Sequence, residues 1–217
     1  KVNNRHLLTL SSDYKLGKIV KCEGIKKGIE NTNYLLKTNK KKFILTIFEK
    51  RVKRKDLPFF MQLMDSLYNQ KINCPKPLKD KDGKYLTLIK KKTACVVTFL
   101  KGKDKQKLDV KNCYEVGKNI GKFHKASNKL KLYRRNSMSI NSLNSLLKSI
   151  NFKSKKITPN LKKVLEVSLK EIKKDWPTNL PTSIIHGDLF IDNIFFNKNK
   201  FVGFIDFYFS CNDYLMY

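Results

Sequence analysis

The sequence predicts an α+β protein of two lobes, a small antiparallel sheet with one helix over residues 1–101 and a mainly helical lobe with a β-hairpin over 102–217. Three observations predict it. Short β-branched and aromatic runs punctuated by turn residues fill the first part of the chain. Helical periodicity takes over from about residue 110. Near the end, two apolar runs, IIHGDLFIDNIFF (184–196) and FIDF (204–207), return to strand character and enclose a polar loop.

Strands are expected at 19–22, 32–37 and 42–48, with GIKKG (24–28) and TNKKK (38–42) as turns. DLPFFMQLMDSLYNQ (56–70) reads as a helix. Asp56 is its expected N-cap and Pro58 lies in the first turn; Phe60, Met61, Met64, Leu67 and Tyr68 form the apolar stripe. After CPKPL (74–78) and the DKDGK turn (80–84), strands are expected at 85–89 and 94–100. KGKDKQK (101–107) is expected as a solvated connector, with the lobe boundary near Gly102.

The second lobe opens with a helix over 110–127, where Val116, Ile120 and Phe123 share a face and His124 sits beside it as a packing residue. Gly117 and Gly121 on that helix suggest close approach of another element. Weaker helical patterns follow at 140–151 and 160–175, the second ended by Trp176-Pro177. Then come strand 183–185, loop 186–192, strand 193–196, the turn NKNK (197–200) and strand 201–205, with Asp206 directly after.

The 217 residues are 41% hydrophobic, which provides for a sizeable core. No apolar run approaches the ~18 residues of a membrane span. The opening KVNNRHLLTLSSDYKLGK reads neither as a signal peptide nor as a translation start. Five scattered cysteines (Cys22, Cys74, Cys95, Cys113, Cys211) include no CxxC pair, and none neighbours His6, His124 or His186. They read as reduced thiols of a cytoplasmic protein, and a zinc site is not expected. The net charge of +29 raises the possibility of nucleic-acid binding. Only five of the 47 basic residues are arginines, however, the residue favoured for bidentate phosphate and base contacts. A solvated lysine coat is the preferred reading, with a basic nucleic-acid-binding protein as the remote alternative.

The hairpin after Phe196 would carry Asp206 back toward the loop that holds Asp188, bringing Asp188, Asn193 and Asp206 to one end of a small sheet. One amide and one carboxylate suit a hard cation completed by phosphate oxygens and water. A further carboxylate suits acceptance of a hydroxyl proton. A catalytic-loop Asp, an Asn five residues on and a metal-binding Asp after the next hairpin form the phosphoryl-transfer layout. The competing reading, Asp and Asn as mere turn formers, leaves their shared geometry without a reason. His186 reads as a scaffold bonded to nearby backbone.

On these residues the chain resembles the aminoglycoside phosphotransferase-like, small-molecule branch of the protein-kinase superfamily, and within it the homoserine kinase group. The resemblance extends over GIENTNYLL (28–36), FILTIFEKRV (43–52), DLPFFMQLM (56–64), CPKPL, VGKNIGKFHKAS (116–127), DWPTNLP (175–181) and IDFYFSCND (205–213). It implies a protein-kinase-like two-lobe fold and a catalytic β-hairpin. It also implies ATP- and Mg²⁺-dependent phosphorylation of the L-homoserine side-chain hydroxyl, a step toward threonine. Choline, methylthioribose or an aminoglycoside are the alternative acceptors within the branch. Asp188 is then the catalytic base, with Asn193 and Asp206 as magnesium ligands. The turn carrying Gly28, Asn31, Thr32 and Asn33 would lie over the ATP phosphates, while Thr98 and Leu100 would line the adenine-binding connection. The resemblance implies no specific nucleic-acid or membrane partner and is silent on oligomeric state. Two departures stand out. FILTIF carries Thr46 where protein kinases place a phosphate-binding lysine, with Lys42 and Lys50 the nearby cations. The family pattern also continues beyond Tyr217 with a mostly helical part, which implies a C-terminally truncated frame.

Overall fold

The computed structural model describes residues 2–26, 31–49, 52–150 and 160–217. Its first element is a helix that periodicity alone does not predict, α1 (Asn4–Asp13). Asn3 caps it by accepting from the His6 N–H, while the Asn3 N–H donates to His6 Nδ1.

Five strands follow in an antiparallel sheet ordered β1-β2-β3-β5-β4. They are β1 (Ile19–Ile25), β2 (Asn31–Thr38), β3 (Lys42–Phe48), β4 (Leu86–Ile89) and β5 (Lys92–Thr98). β2 begins at Asn31, so the expected turn over the phosphates is already strand from that residue on. One face of the sheet packs on α1, with Leu10, Tyr14 and Leu16 against Leu36, Leu45 and Val96.

The other face meets α2 (Leu57–Asn69), which buries Phe60, Met61, Met64 and Leu67. Tyr68, expected on this stripe, faces outward with Lys76 Nζ 5.2 Å from its ring centre. Asp56 occupies the N-cap position but makes no capping hydrogen bond. Its carboxylate is taken by Arg134 instead.

The second half contains α3 (Val110–Ser127), α4 (Ile140–Ser149), α5 (Leu161–Lys174) and four short strands. Asp109 caps α3 through the Asn112 N–H, and Val116, Ile120 and Phe123 join the large core under α2. Gly117 and Gly121 lie on the exposed side, and among the described residues no element makes the close approach they would permit.

Strand β6 (Thr182–Ile185) pairs with β9 (Cys211–Tyr214), and β7 (Ile194–Asn197) pairs with β8 (Lys200–Phe204) as a hairpin. The 101–107 connector is not simply solvated. Lys103 exchanges two backbone hydrogen bonds with Phe196, at 2.9 and 2.7 Å. Gly102 permits the approach, because a Cβ there would lie 3.0 Å from the Phe196 carbonyl oxygen. Among the described residues no helix is long and apolar enough to cross a membrane. All five cysteines carry free thiols, and burial pushes Cys74, Cys95 and Cys211 up to about 12.

Candidate active site

The site begins where β6 ends. His186 is 4% exposed, and its ring centre lies 4.7 Å from that of Phe207. Its Nε2 is 2.9 Å from the Ile205 carbonyl oxygen, which can only accept, so Nε2 carries the proton. Nδ1 has no partner among the described residues. Burial depresses the imidazole pKa from 6.5 to about 4. His186 thus stays neutral and braces the backbone beside Asp206.

A pH dependence of stability follows. Above pH 6.5 folded and unfolded chains both hold this ring neutral, so its contribution is complete there. As pH falls toward about 4 only the unfolded chain takes up the proton, which costs the fold about 3 kcal/mol. Thermal melts of the protein and of His186→Gln should diverge by that amount between these pH values. Parallel curves would assign the acid sensitivity to other groups.

Gly187 follows with φ +75°, and a Cβ on it would lie 2.7 Å from the Phe209 carbonyl oxygen. Only glycine lets the two loops come this close. Asp188 comes next, and a 3-10 turn (Ile191–Asn193) then leads into β7. Buried Asn193 donates through Nδ2 to the Asp188 carbonyl oxygen at 2.8 Å and to its Oδ2 at 3.2 Å. Its Oδ1 is therefore the end of the amide suited to accept or to ligate.

The expected two-residue turn, Lys198–Asn199, joins β7 to β8. The Ile205 N–H donates to the Asn193 carbonyl at 3.0 Å, and this lands Asp206 beside the loop. Asp206 has φ 62° and ψ 62°, a left-handed conformation uncommon outside glycine and better tolerated by Asp than by most residues. The packing that holds it is visible on its C-terminal side. Phe207 is fully buried, and the Tyr208 ring stands edge-on to Phe48 and Phe60 at 5.0 and 5.7 Å. Desolvation holds the Tyr208 phenol well above its ordinary pKa, so it remains protonated.

Asp188, Asn193 and Asp206 line one cavity of about 710 Å³ between the hairpin and the sheet. Its apolar wall includes Ile44, Met64, Val97 and Ile205. Of the residues expected to hold nucleotide, Asn33, Thr98 and Leu100 line this cavity. Asn31 and Thr32 are not in its wall; both engage Glu49, at the end of β3. The Glu49 N–H donates to Asn31 Oδ1 at 3.4 Å, and Thr32 Oγ1 donates to Glu49 Oε1 at 2.9 Å. Lys92 pairs with the other Glu49 oxygen. Gly28 and Lys50 lie outside the described residues. Lys42 is exposed at the start of β3, its Nζ 5.6 Å from the Phe99 ring centre.

Thr46, which stands at the position of the protein-kinase lysine, lines the cavity wall; the pattern of the sequence did not single out Tyr208 or Arg134 as supports. Arg134 Nε donates to Asp56 Oδ2 at 2.9 Å, and Nη1 donates to the Ser210 carbonyl at 3.0 Å. Its guanidinium also lies 5.0 Å from the Phe60 ring centre. One signal was present: arginine is scarce in this chain, and lysine cannot form this fork.

Among the described residues no three His, Cys, Asp or Glu side chains gather as a metal cluster. Two carboxylates and an amide whose nitrogen is already committed leave oxygen donors facing one space. That set fits a hard divalent cation sharing its shell with phosphate oxygens and water.

The sequence profile of the phosphotransferase enzyme family matches residues 21–217. The homoserine kinase of Paramagnetospirillum magneticum is 38% identical over 222 residues, covering 100% of this chain and 68% of that protein. The homoserine kinase of Rhizobium meliloti is 38% identical, covering 100% of this chain and 66% of that protein. That of Bradyrhizobium diazoefficiens is 40% identical, covering 95% and 63%. The chain thus spans about two thirds of the length of these relatives. Among solved structures, the amicoumacin kinase hAmiN in complex with AMP-PNP, Ca²⁺ and Ami superposes with a TM-score of 0.79 at 15% identity. It covers 99% of this chain and 66% of that one. The choline kinase LicA from Streptococcus pneumoniae has a TM-score of 0.65 at 20% identity, covering 96% and 69%.

Proposed function

Because the chain belongs to the phosphotransferase enzyme family, we propose that it transfers the γ-phosphoryl group of ATP to the side-chain hydroxyl of L-homoserine, giving O-phospho-L-homoserine and ADP. The observation that carries phosphoryl transfer is the meeting of Asp188, Asn193 and Asp206 on one cavity wall. Homoserine as acceptor is supported by the likeness to homoserine kinases along the whole chain.

In this reading the Asp188 carboxylate orients the acceptor hydroxyl and takes its proton as the oxygen–phosphorus bond forms. The bond from the γ-phosphorus to the bridging oxygen breaks, and ADP leaves with that electron pair. Asn193 Oδ1 and the Asp206 carboxylate would hold Mg²⁺, whose charge would offset that of the nucleotide phosphates. Asn33 would meet the phosphates, together with Asn31 and Thr32 of the same strand, while Thr98 and Leu100 would border the adenine. Residues 1–101 are the nucleotide-binding lobe and 102–217 the catalytic lobe. The Asn193 bond to Asp188 Oδ2 serves both roles, since it fixes the base and turns Oδ1 outward.

The test is a coupled assay of ADP formation with homoserine, choline, methylthioribose and kanamycin as separate acceptors. Homoserine alone should stimulate Mg²⁺-dependent turnover. Stimulation by one of the others and not by homoserine would overturn the acceptor and keep the phosphotransferase.

A further inference from the structure

Three polar side chains stand in register on adjacent strands of the sheet. Asn33 on β2 is opposite Thr46 on β3, and Thr46 is opposite Cys95 on β5. Thr46 is 3% exposed, and its hydroxyl donates to Asn33 Oδ1 at 2.8 Å. A carboxamide whose oxygen is engaged in this way presents its N–H groups on its other side. The Tyr208 hydroxyl approaches the row from the other side, 3.9 Å from Cys95 Sγ and also interacting with the Thr46 hydroxyl.

The position is chemically unusual. FILTIF is otherwise wholly apolar, and valine would fill the volume of Thr46 without a buried hydroxyl to satisfy. Asn33 and Thr46 line the same cavity as Asp188, Asn193 and Asp206. Protein kinases place a phosphate-binding lysine on this third strand. A neutral pair occupies the site here.

We propose that Thr46 is a positioning residue that holds the Asn33 carboxamide with its N–H groups toward the phosphate oxygens of a bound nucleotide, a neutral donor in place of a cation. The inference rests on the phosphotransferase reading only in supposing a nucleotide, and it does not depend on the acceptor. Thr46 acts through the flip state of the amide. Without its hydroxyl, Asn33 can turn its oxygen toward the phosphates and repel them.

Titration of Mg·ATP, read by calorimetry or by displacement of a fluorescent nucleotide, separates the possibilities. Thr46→Val should weaken affinity about tenfold, the scale of one lost hydrogen bond to a charged group. Thr46→Ser keeps the hydroxyl and should bind within about threefold of the unsubstituted protein. Asn33→Asp still accepts from Thr46 but sets a carboxylate against phosphate, and should weaken binding about a hundredfold. Unchanged binding in Thr46→Val, or equal losses in the Val and Ser variants, would overturn the proposal. So would a loss that merely follows a lowered melting temperature. Failure of the unsubstituted protein to bind Mg·ATP would overturn it together with the phosphotransferase reading. Nucleotide binding that Thr46→Val weakens and Thr46→Ser restores, without turnover of homoserine, would support the proposal and reject the acceptor.

Discussion

Asp188→Asn is expected to lower kcat by about three to four orders of magnitude while changing nucleotide affinity by no more than about threefold. The carboxamide has the same shape, so the bond from Asn193 Nδ2 to the residue-188 carbonyl persists. What is lost is a group able to accept the hydroxyl proton and to align the oxygen for attack. In the proposed reading the nucleotide would be held elsewhere, against Val97, Thr98 and Asn33, which line the same cavity. Initial rates of ADP formation, set beside a nucleotide titration of the same variant, test the separation. Retention of full activity would remove Asp188 from the reaction. An equal loss of nucleotide affinity would instead make it a binding group.

The second large effect concerns stability. The Arg134 and Asp56 side chains are only 13% and 17% exposed, so their ion pair is largely sheltered from water. Arg134→Met leaves the Asp56 carboxylate without its partner and also frees the Ser210 carbonyl. A loss of about 3–5 kcal/mol is expected, read from the shift in denaturation midpoint. Asp56→Leu combined with Arg134→Met should recover part of it, because removing both charges ends the penalty of burying one. A loss below about 1 kcal/mol would class the pair with exposed salt bridges. The pair joins the start of α2 to the chain just beyond Asp206, so the same variant is also expected to loosen the site.

How much of this was legible in the sequence depends on the separation of the partners. The hairpin and the placing of Asp206 were readable, because β-branched alternation and a two-residue turn are local signals. The Asp188 to Asn193 spacing was readable for the same reason. Helix α2 was readable from its stripe and Asp56 takes the N-cap position, but its carboxylate caps nothing, since its partner lies far along the chain at Arg134. Helix α1 escaped notice because its weak amphipathic pattern buries only Leu10 and its cap uses Asn3 and His6. Strand β9 reads CNDY, too short and polar to announce itself. It exists because β6 offers an edge. The Thr46–Asn33 bond needs the register of two strands, which no single run of residues reveals.

The pairing of β6 with β9 encloses that of β7 with β8, as one stem encloses another. Asp188 lies in the ascending gap between the two stems and Asp206 in the descending one. The hairpin tip at Lys198–Asn199 can therefore vary in length without altering either gap, whereas one residue added to a gap displaces a carboxylate. Closure also has an order of cost. The inner stem needs only a two-residue loop, and once it is formed the outer stem spans far less free chain, at lower entropic expense. The two acidic groups thus come to face each other as a by-product of zipping, with no separate search for one another.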